Sequence, residues 1–259
     1  MLQGTEGGGL GPALYLSASS LFDIGLVGPA IAGGKVVVAV EAANGLGLIA
    51  LVVSQLFLLF GAFERREVQV IELDTSAGAP PSGVALMETC AEFAMGGHLA
   101  ATFTGWRTWA AQVLESHLAF PVLVYFRSSH DNEAWLNSFG AVMDAANLVL
   151  TALDGGGTRA EATMFFKLGK HLVDDIGYYF RFPRMRQPGL EKWELGQALE
   201  RLRAAGYAVR PLDEVWPAFA ARRLQYVPLL AHLSRYLAIP PAPWIGDRSY
   251  LPHRDGAGA

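Results

Sequence analysis

Glu115, His117, His130, Asp131 and His171 are the side chains whose types could bring chemistry to the second half of this 259-residue chain. Carboxylates and imidazoles together can ligate a divalent metal. Their spacing does not gather them. Glu115 and His117 are two residues apart, which puts them on different faces of a helix. The run His130, Asp131, Asn132 stands just before an expected helix, where Asp131 or Asn132 is expected to serve as N-cap rather than as ligand. His171, with Asp174 and Asp175, falls on a charged helical face, for which solvation is the default. The three glycines at 155–157 lack the strand and the lysine of a phosphate loop. No CxxC pair, HExxH or Ser-His-Asp elbow occurs. The reading is of a protein that is not an enzyme and carries no metal or cofactor.

The other chemically suggestive residues lie near the N-terminus. "SLFDIGLVGPA", residues 20–30, sets an acidic residue and an aliphatic one ahead of glycines at a turn. Farther on, Glu41 and Asn44 share a helix face one turn apart, followed by Gly45 and Gly47. A carboxylate deep in a span must face protein or water and then implies an ion pathway; near its end it only reaches the interface.

Composition supplies the setting. The chain is 52% hydrophobic and 17% charged, where a soluble domain carries about a quarter charged residues. Few charges precede Glu64. The net charge of −4 gives no basic footprint for nucleic acid. The single cysteine, Cys90, excludes an intramolecular disulfide framework and a thiolate zinc cluster, and reads as a small apolar residue.

Residues 42–63 carry no charge, which meets the length of a membrane span, and the apolar pattern extends back to Lys35. A transmembrane helix is expected over 36–63. Residues 13–22 suit a helix of roughly 15 Å, half a bilayer. Between the two lies a glycine-containing loop, 23–34. Irregular backbone at membrane depth is tolerated only inside protein or beside water, so this order is that of a re-entrant pore loop followed by an inner helix. Arg65 and Arg66 after the span, against Lys35 before it, place the C-terminal part in the cytoplasm.

The expected organisation is a membrane module over 1–63, a linker over 64–82, a helical cytoplasmic domain over 83–245 and a disordered tail over 246–259. "EVQVIEL" reads as a short extended piece and "DTSAGAPPSG" as linker. Helical periodicity then predicts helices over 84–95, 99–118, 133–153, 159–180, 190–205 and 212–237, stopped by prolines and glycines. The fold class is all-α. Trp106, Trp109, Tyr125, Phe126 and Trp135 read as core.

The phrases "FERREVQVIELDTSAGAPPS", "WAAQVLESHLAFPVLVYFRSSHDNEAWL" and "LAIPPAPW", with the half-helix, loop and inner-helix order, resemble bacterial two-transmembrane pore-loop potassium channel proteins of actinobacterial type. The resemblance implies a homotetramer in the inner or plasma membrane, with potassium as permeant ion and membrane lipid as its surroundings. Laid on the family's Thr-aliphatic-Gly-aromatic-Gly-Asp filter, Asp23 takes the threonine place, Ile24 the aliphatic and Gly25 the first glycine. Leu26 takes the aromatic, Val27 the second glycine and Gly28 the acidic place. Filter carbonyls replace an ion's hydration shell, and a β-branched Val27 resists the conformations that glycine permits. The resemblance also implies an outer helix for which the sequence has no residues before the pore helix, so an upstream start or a truncated relative is expected. The resulting expectation is a cation channel subunit with a degenerate filter; the other reading is a non-conducting, membrane-anchored scaffold or sensor.

Overall fold

The computed structural model describes residues 10–22, 32–128, 134–180, 189–240 and 244–245. The described residues form helices: α1 Leu10–Leu21, α2 Ala32–Ala77, α3 Gly83–Glu92, α4 His98–Ala119, a 3-10 helix Pro121–Tyr125, α5 Trp135–Thr151, α6 Arg159–Phe180, α7 Lys192–Ala204, α8 Leu212–Arg223 and α9 Val227–Tyr236. The only pairing of extended backbone among them is one antiparallel bridge, Leu153 with Val209. The chain is all-α, and it divides into two compact units, Met1–Gly61 and Ala62–Ala259.

In the first unit, α1 and the start of α2 form a helical hairpin. Only Ala13, Leu16, Ser19 and Ser20 of α1 are buried. Along α2 the apolar side chains from Val36 to Phe60 are largely exposed, among them Leu46, Ile49, Val52, Leu56 and Phe57. This helix is long and apolar enough to cross a membrane. A core helix of a soluble domain would bury that surface; this one buries almost none of it.

The expected linker is not there. Residues 64–77 continue α2 as helix, and Val70, Leu73 and Ala77 enter the core of the second unit. The alternation in "EVQVIEL" misleads because the residues that count recur at three- and four-residue spacing, the helical period. Arg66 fixes this part of α2. Its buried guanidinium meets Glu67 Oε1 at 2.8 Å, the Phe126 carbonyl at 2.8 Å and the Leu123 carbonyl at 3.3 Å. Trp109 donates its indole N–H to the Arg66 carbonyl at 3.0 Å.

In the second unit α5 is the centre, with all seventeen of its residues buried. Helices α3, α4, α6, α8 and α9 pack on it. Close approach is bought with small residues. A Cβ on Gly83 would stand 2.5 Å from the Ala141 carbonyl oxygen, and one on Gly140 would meet the Trp244 ring at 2.4 Å. Trp244, from the expected "PPAPW" segment, is fully buried, and its carbonyl accepts from Gly83 N at 2.6 Å.

The polar residues of α5 are pinned to chain far away in sequence. Asn147 donates to the Phe219 carbonyl at 3.0 Å and Asn137 to the Pro240 carbonyl at 2.9 Å. Asp144, fully buried, receives Arg223 Nε at 3.0 Å and Nη2 at 2.9 Å, and the Tyr226 hydroxyl as well. Burial works against the Arg223 charge, but the Asp144 carboxylate outweighs it and raises the Arg223 pKa; burial and the same carboxylate push Tyr226 well above its ordinary value.

Four further expectations are corrected. The helix expected over 212–237 is two, α8 and α9, separated at residues 224–226, with Pro228 in the first turn of α9. Proline suits a first helical turn because its missing N–H has no helical partner there. The N-cap of α5 is Ala134, not Asp131 or Asn132, and Ser128 Oγ accepts from Trp135 N at 2.9 Å. Tyr125 and Phe126 are exposed, whereas Trp106, Trp109 and Trp135 are core. Helix α2 also begins at Ala32, inside the loop expected over 23–34.

A fragment spanning 62–259 is therefore expected to fold cooperatively in water. One spanning 82–259 lacks Arg66, Val70, Leu73 and Ala77 and is expected to melt at a visibly lower temperature or not to fold; circular dichroism melts of the two compare them directly.

Candidate functional site

The hairpin is held by a carboxylate. Ser17 and Ser20, three residues apart, present their hydroxyls on one face of α1. Ser17 Oγ donates to Glu41 Oε1 at 3.0 Å and Ser20 Oγ to Glu41 Oε2 at 2.6 Å. The Ser20 hydroxyl also lies 2.9 Å from the Ser17 carbonyl and divides its one proton between the two acceptors. One turn beyond Glu41, Gly45 lets the end of α1 come down on α2. A Cβ there would sit 1.6 Å from the Leu21 carbonyl oxygen, so no side chain fits. Small residues at helix contacts and interhelical hydrogen bonds are what hold helices together in lipid, where burial of apolar surface offers nothing.

Glu41 and Gly45 are thus brought together, and Asn44 and Gly47 are not. Asn44 is exposed rather than paired with Glu41, and a Cβ on Gly47 would meet nothing. The helix face shared with Glu41 belongs to position i+4. The filter-like residues Asp23, Ile24, Gly25, Leu26, Val27 and Gly28 lie outside the described residues, as do His130, Asp131, the N-terminal residues 1–9 and the tail 246–259.

In the second unit, of the side chains singled out in the sequence, Glu115 and His117 lie on α4 and His171 on α6. No group of three or more His, Cys, Asp or Glu side chains able to hold a metal occurs among the described residues. His171 stands 3.8 Å from Asp175, and Lys170 pairs with Asp174, both across one exposed helical turn. Glu115, with Arg65, edges a groove of about 470 Å³ between residues 62–66 of α2 and residues 108–119 of α4 with Phe120 after it. His117 is buried instead, its Nδ1 2.7 Å from the Val113 carbonyl, with the Trp135 ring beside it. Burial is the main cause that lowers its pKa to about 4; the Val113 carbonyl opposes the shift and the Arg66 charge adds to it. Cys90 is buried in α3, and burial raises its pKa, so it is an inert apolar filler.

Sequence reasoning missed two features. The serine pair opposite Glu41 was visible as "LSASS", but nothing local shows that its face meets α2. The Asp144–Arg223 pair spans 79 residues, and no local pattern announces it.

Neither a protein-family model, nor a curated protein, nor a solved structure matches this chain.

The Glu41 contact predicts an order of effects. In a Cys90→Ala background, a cysteine replacing the buried Leu16 should react slowly with a thiol reagent in detergent. Adding Glu41→Ala should speed labelling several-fold, since it removes both hydroxyls' partner, about 1–2 kcal/mol across such helices. Glu41→Gln, which keeps one acceptor oxygen, should fall between. Equal rates in all three would show that the contact holds nothing.

His117 predicts a pH dependence of the second unit. Its folded pKa of about 4 lies below the unfolded value of about 6.5, so between them the unfolded chain binds more protons. The stability is fully present above pH ~6.5 and is lost as pH falls towards 4, by at most about 1.4 kcal/mol per pH unit. His117→Gln should flatten urea-denaturation stability across that window.

Proposed function

We propose that this protein is a subunit of a pore-loop cation channel, with its first unit in the membrane and its second, helical unit in the cytoplasm as an assembly or regulatory domain. One observation carries the reading. A helix of half-bilayer length is fastened by Glu41 and Gly45 to the start of a helix that then runs on, exposed and apolar, for about the thickness of a bilayer's hydrocarbon core. Such a short helix has no place facing lipid alone, and several copies around an axis give it protein and water to face. The C-terminal end of α1 carries partial negative charge, and it leads directly into Asp23. Half-helix C-termini of this kind serve cations in membrane proteins. Arg65 and Arg66 favour the cytoplasmic side for the second unit. The resemblance to two-transmembrane potassium channels in residues 63–82, 109–136 and 237–244 points the same way.

Val27 supports the second reading, a membrane-anchored scaffold or sensor that keeps the architecture without conducting. A valine in the place of the second filter glycine disfavours the row of carbonyls that potassium requires.

Flux measurements on the full chain in liposomes separate the two. The expected result is a cation flux that discriminates little between potassium and sodium and that falls in Asp23→Asn. The triple change Asp23→Thr, Val27→Gly, Gly28→Asp should move it towards potassium. Flux no greater than that of protein-free liposomes, in both the natural sequence and the triple variant with insertion verified, would leave the scaffold reading in its place.

A further inference from the structure

Below the Arg66 turn, α2 and α4 diverge around a cleft of about 230 Å³ in the second unit, walled by Gln69 and Glu72 on α2 and by His98, Gly105 and Trp106 on α4. Trp106 is fully buried, yet its indole N–H has no hydrogen-bond partner among the described residues. An indole N–H can only donate, and a buried donor left unpaired is costly. The neighbouring Trp109 donates to the Arg66 carbonyl, whereas Trp135, like Trp106, has no acceptor for its indole N–H among the described residues. On the facing wall Gln69 Nε2 donates to Glu72 Oε2 at 3.0 Å, which leaves the Gln69 carbonyl oxygen and the second Glu72 oxygen as acceptors.

Gly105 is the third observation. It stands within α4, where glycine is among the least helix-favouring residues. A Cβ there would come no closer than 3.9 Å to the Gln69 amide. Packing therefore does not require glycine at this position, and its effect is to keep the cleft open.

We propose that this cleft binds a small amino-acid-like zwitterion. The ligand's carboxylate accepts from the Trp106 N–H and from the His98 ring, and its ammonium group donates to Glu72 and to the Gln69 carbonyl. A plain anion would face the Glu72 carboxylate, and a plain amine would leave the Trp106 N–H unpaired; a ligand carrying both ends answers both walls. The volume lies below the ~300 Å³ at which sites for drug-sized molecules begin, which restricts the ligand to few atoms. Because α2 also carries the long apolar run, an occupant braces that same helix against α4. The site stands whether or not the first unit conducts.

Isothermal titration of the full chain in detergent with glycine and L-alanine, and with acetate and methylamine as the separate halves, tests this. The expected result is saturable binding of an amino acid, with each half weaker. Binding should weaken about tenfold or more in Trp106→Phe and in Glu72→Gln, and disappear in Gly105→Met, which fills the cleft. Glu72 is exposed and Gly105 has room around it, so those two variants report even if Trp106→Phe fails to fold. Absence of saturable binding by both amino acids, binding unchanged in Glu72→Gln and Gly105→Met, or acetate binding as tightly as glycine would each overturn the assignment.

Discussion

A carboxylate at the centre of a helical domain must be answered, and much of the second unit is arranged around the answer given to Asp144. Arg223 reaches it with two nitrogens, and the Tyr226 hydroxyl adds a third donor. A buried pair of this kind adds little net stability over apolar residues of the same volume. Removing one partner, however, leaves a stranded charge and costs about 3–5 kcal/mol. Its consequence is positional. Arg223 ends α8 and Tyr226 lies in the break before α9, so the Asp144 carboxylate ties that break to α5. The Arg223 guanidinium also lies 6.0 Å from the Trp244 ring, and Trp244 in turn occupies the space that Gly140 leaves. Changing any one of these residues disturbs the place of the other three.

The helices were legible wherever a breaker stood at the end of a periodic run. Helix α6 spans the expected 159–180, and Pro121 follows the end of α4 closely. Legibility failed where two patterns share the same residues. "EVQVIEL" alternates, and its β-branched and polar residues suit a strand, but the positions that reach the core are Arg66, Val70, Leu73 and Ala77, spaced as a helix. The 212–237 region failed for the opposite reason. Its helical pattern runs on through two prolines, of which Pro217 stays inside α8 while the chain breaks just before Pro228. The aromatic residues expected in the core divide likewise: Trp106, Trp109 and Trp135 on helix faces went inside, while Tyr125 and Phe126, at the end of the 3-10 helix, stayed out.

Glu41 stands out in the sequence, but the hydroxyls that reach it do not. An acidic side chain beside a charge-free run is conspicuous, and Asn44 is the nearest polar residue that shares a face with it. Yet a carboxylate needs donors whose approach is unobstructed, and those come from another helix, Ser17 and Ser20, at a level where Gly45 lets the backbones close in. Local spacing ranks partners along one helix, whereas the partner here is set by where two helices can touch.

The Arg66 turn shows how one helix serves two surroundings. Before it, the side chains of α2 are apolar and exposed; after it, Val70, Leu73 and Ala77 are apolar and buried. A guanidinium is costly to hold in hydrocarbon, so Arg66 limits how far an apolar medium can extend along α2. Its partners are carbonyls at the 3-10 helix, Leu123 and Phe126, and the Glu67 carboxylate. All of them belong to the second unit. The point at which α2 changes surroundings is therefore fixed by the packing of the second unit as well as by where the apolar run ends. A substitution at Leu123 or Phe126 that moved those carbonyls would free the Arg66 side chain without touching a residue of the apolar run, and the boundary would lose its anchor there.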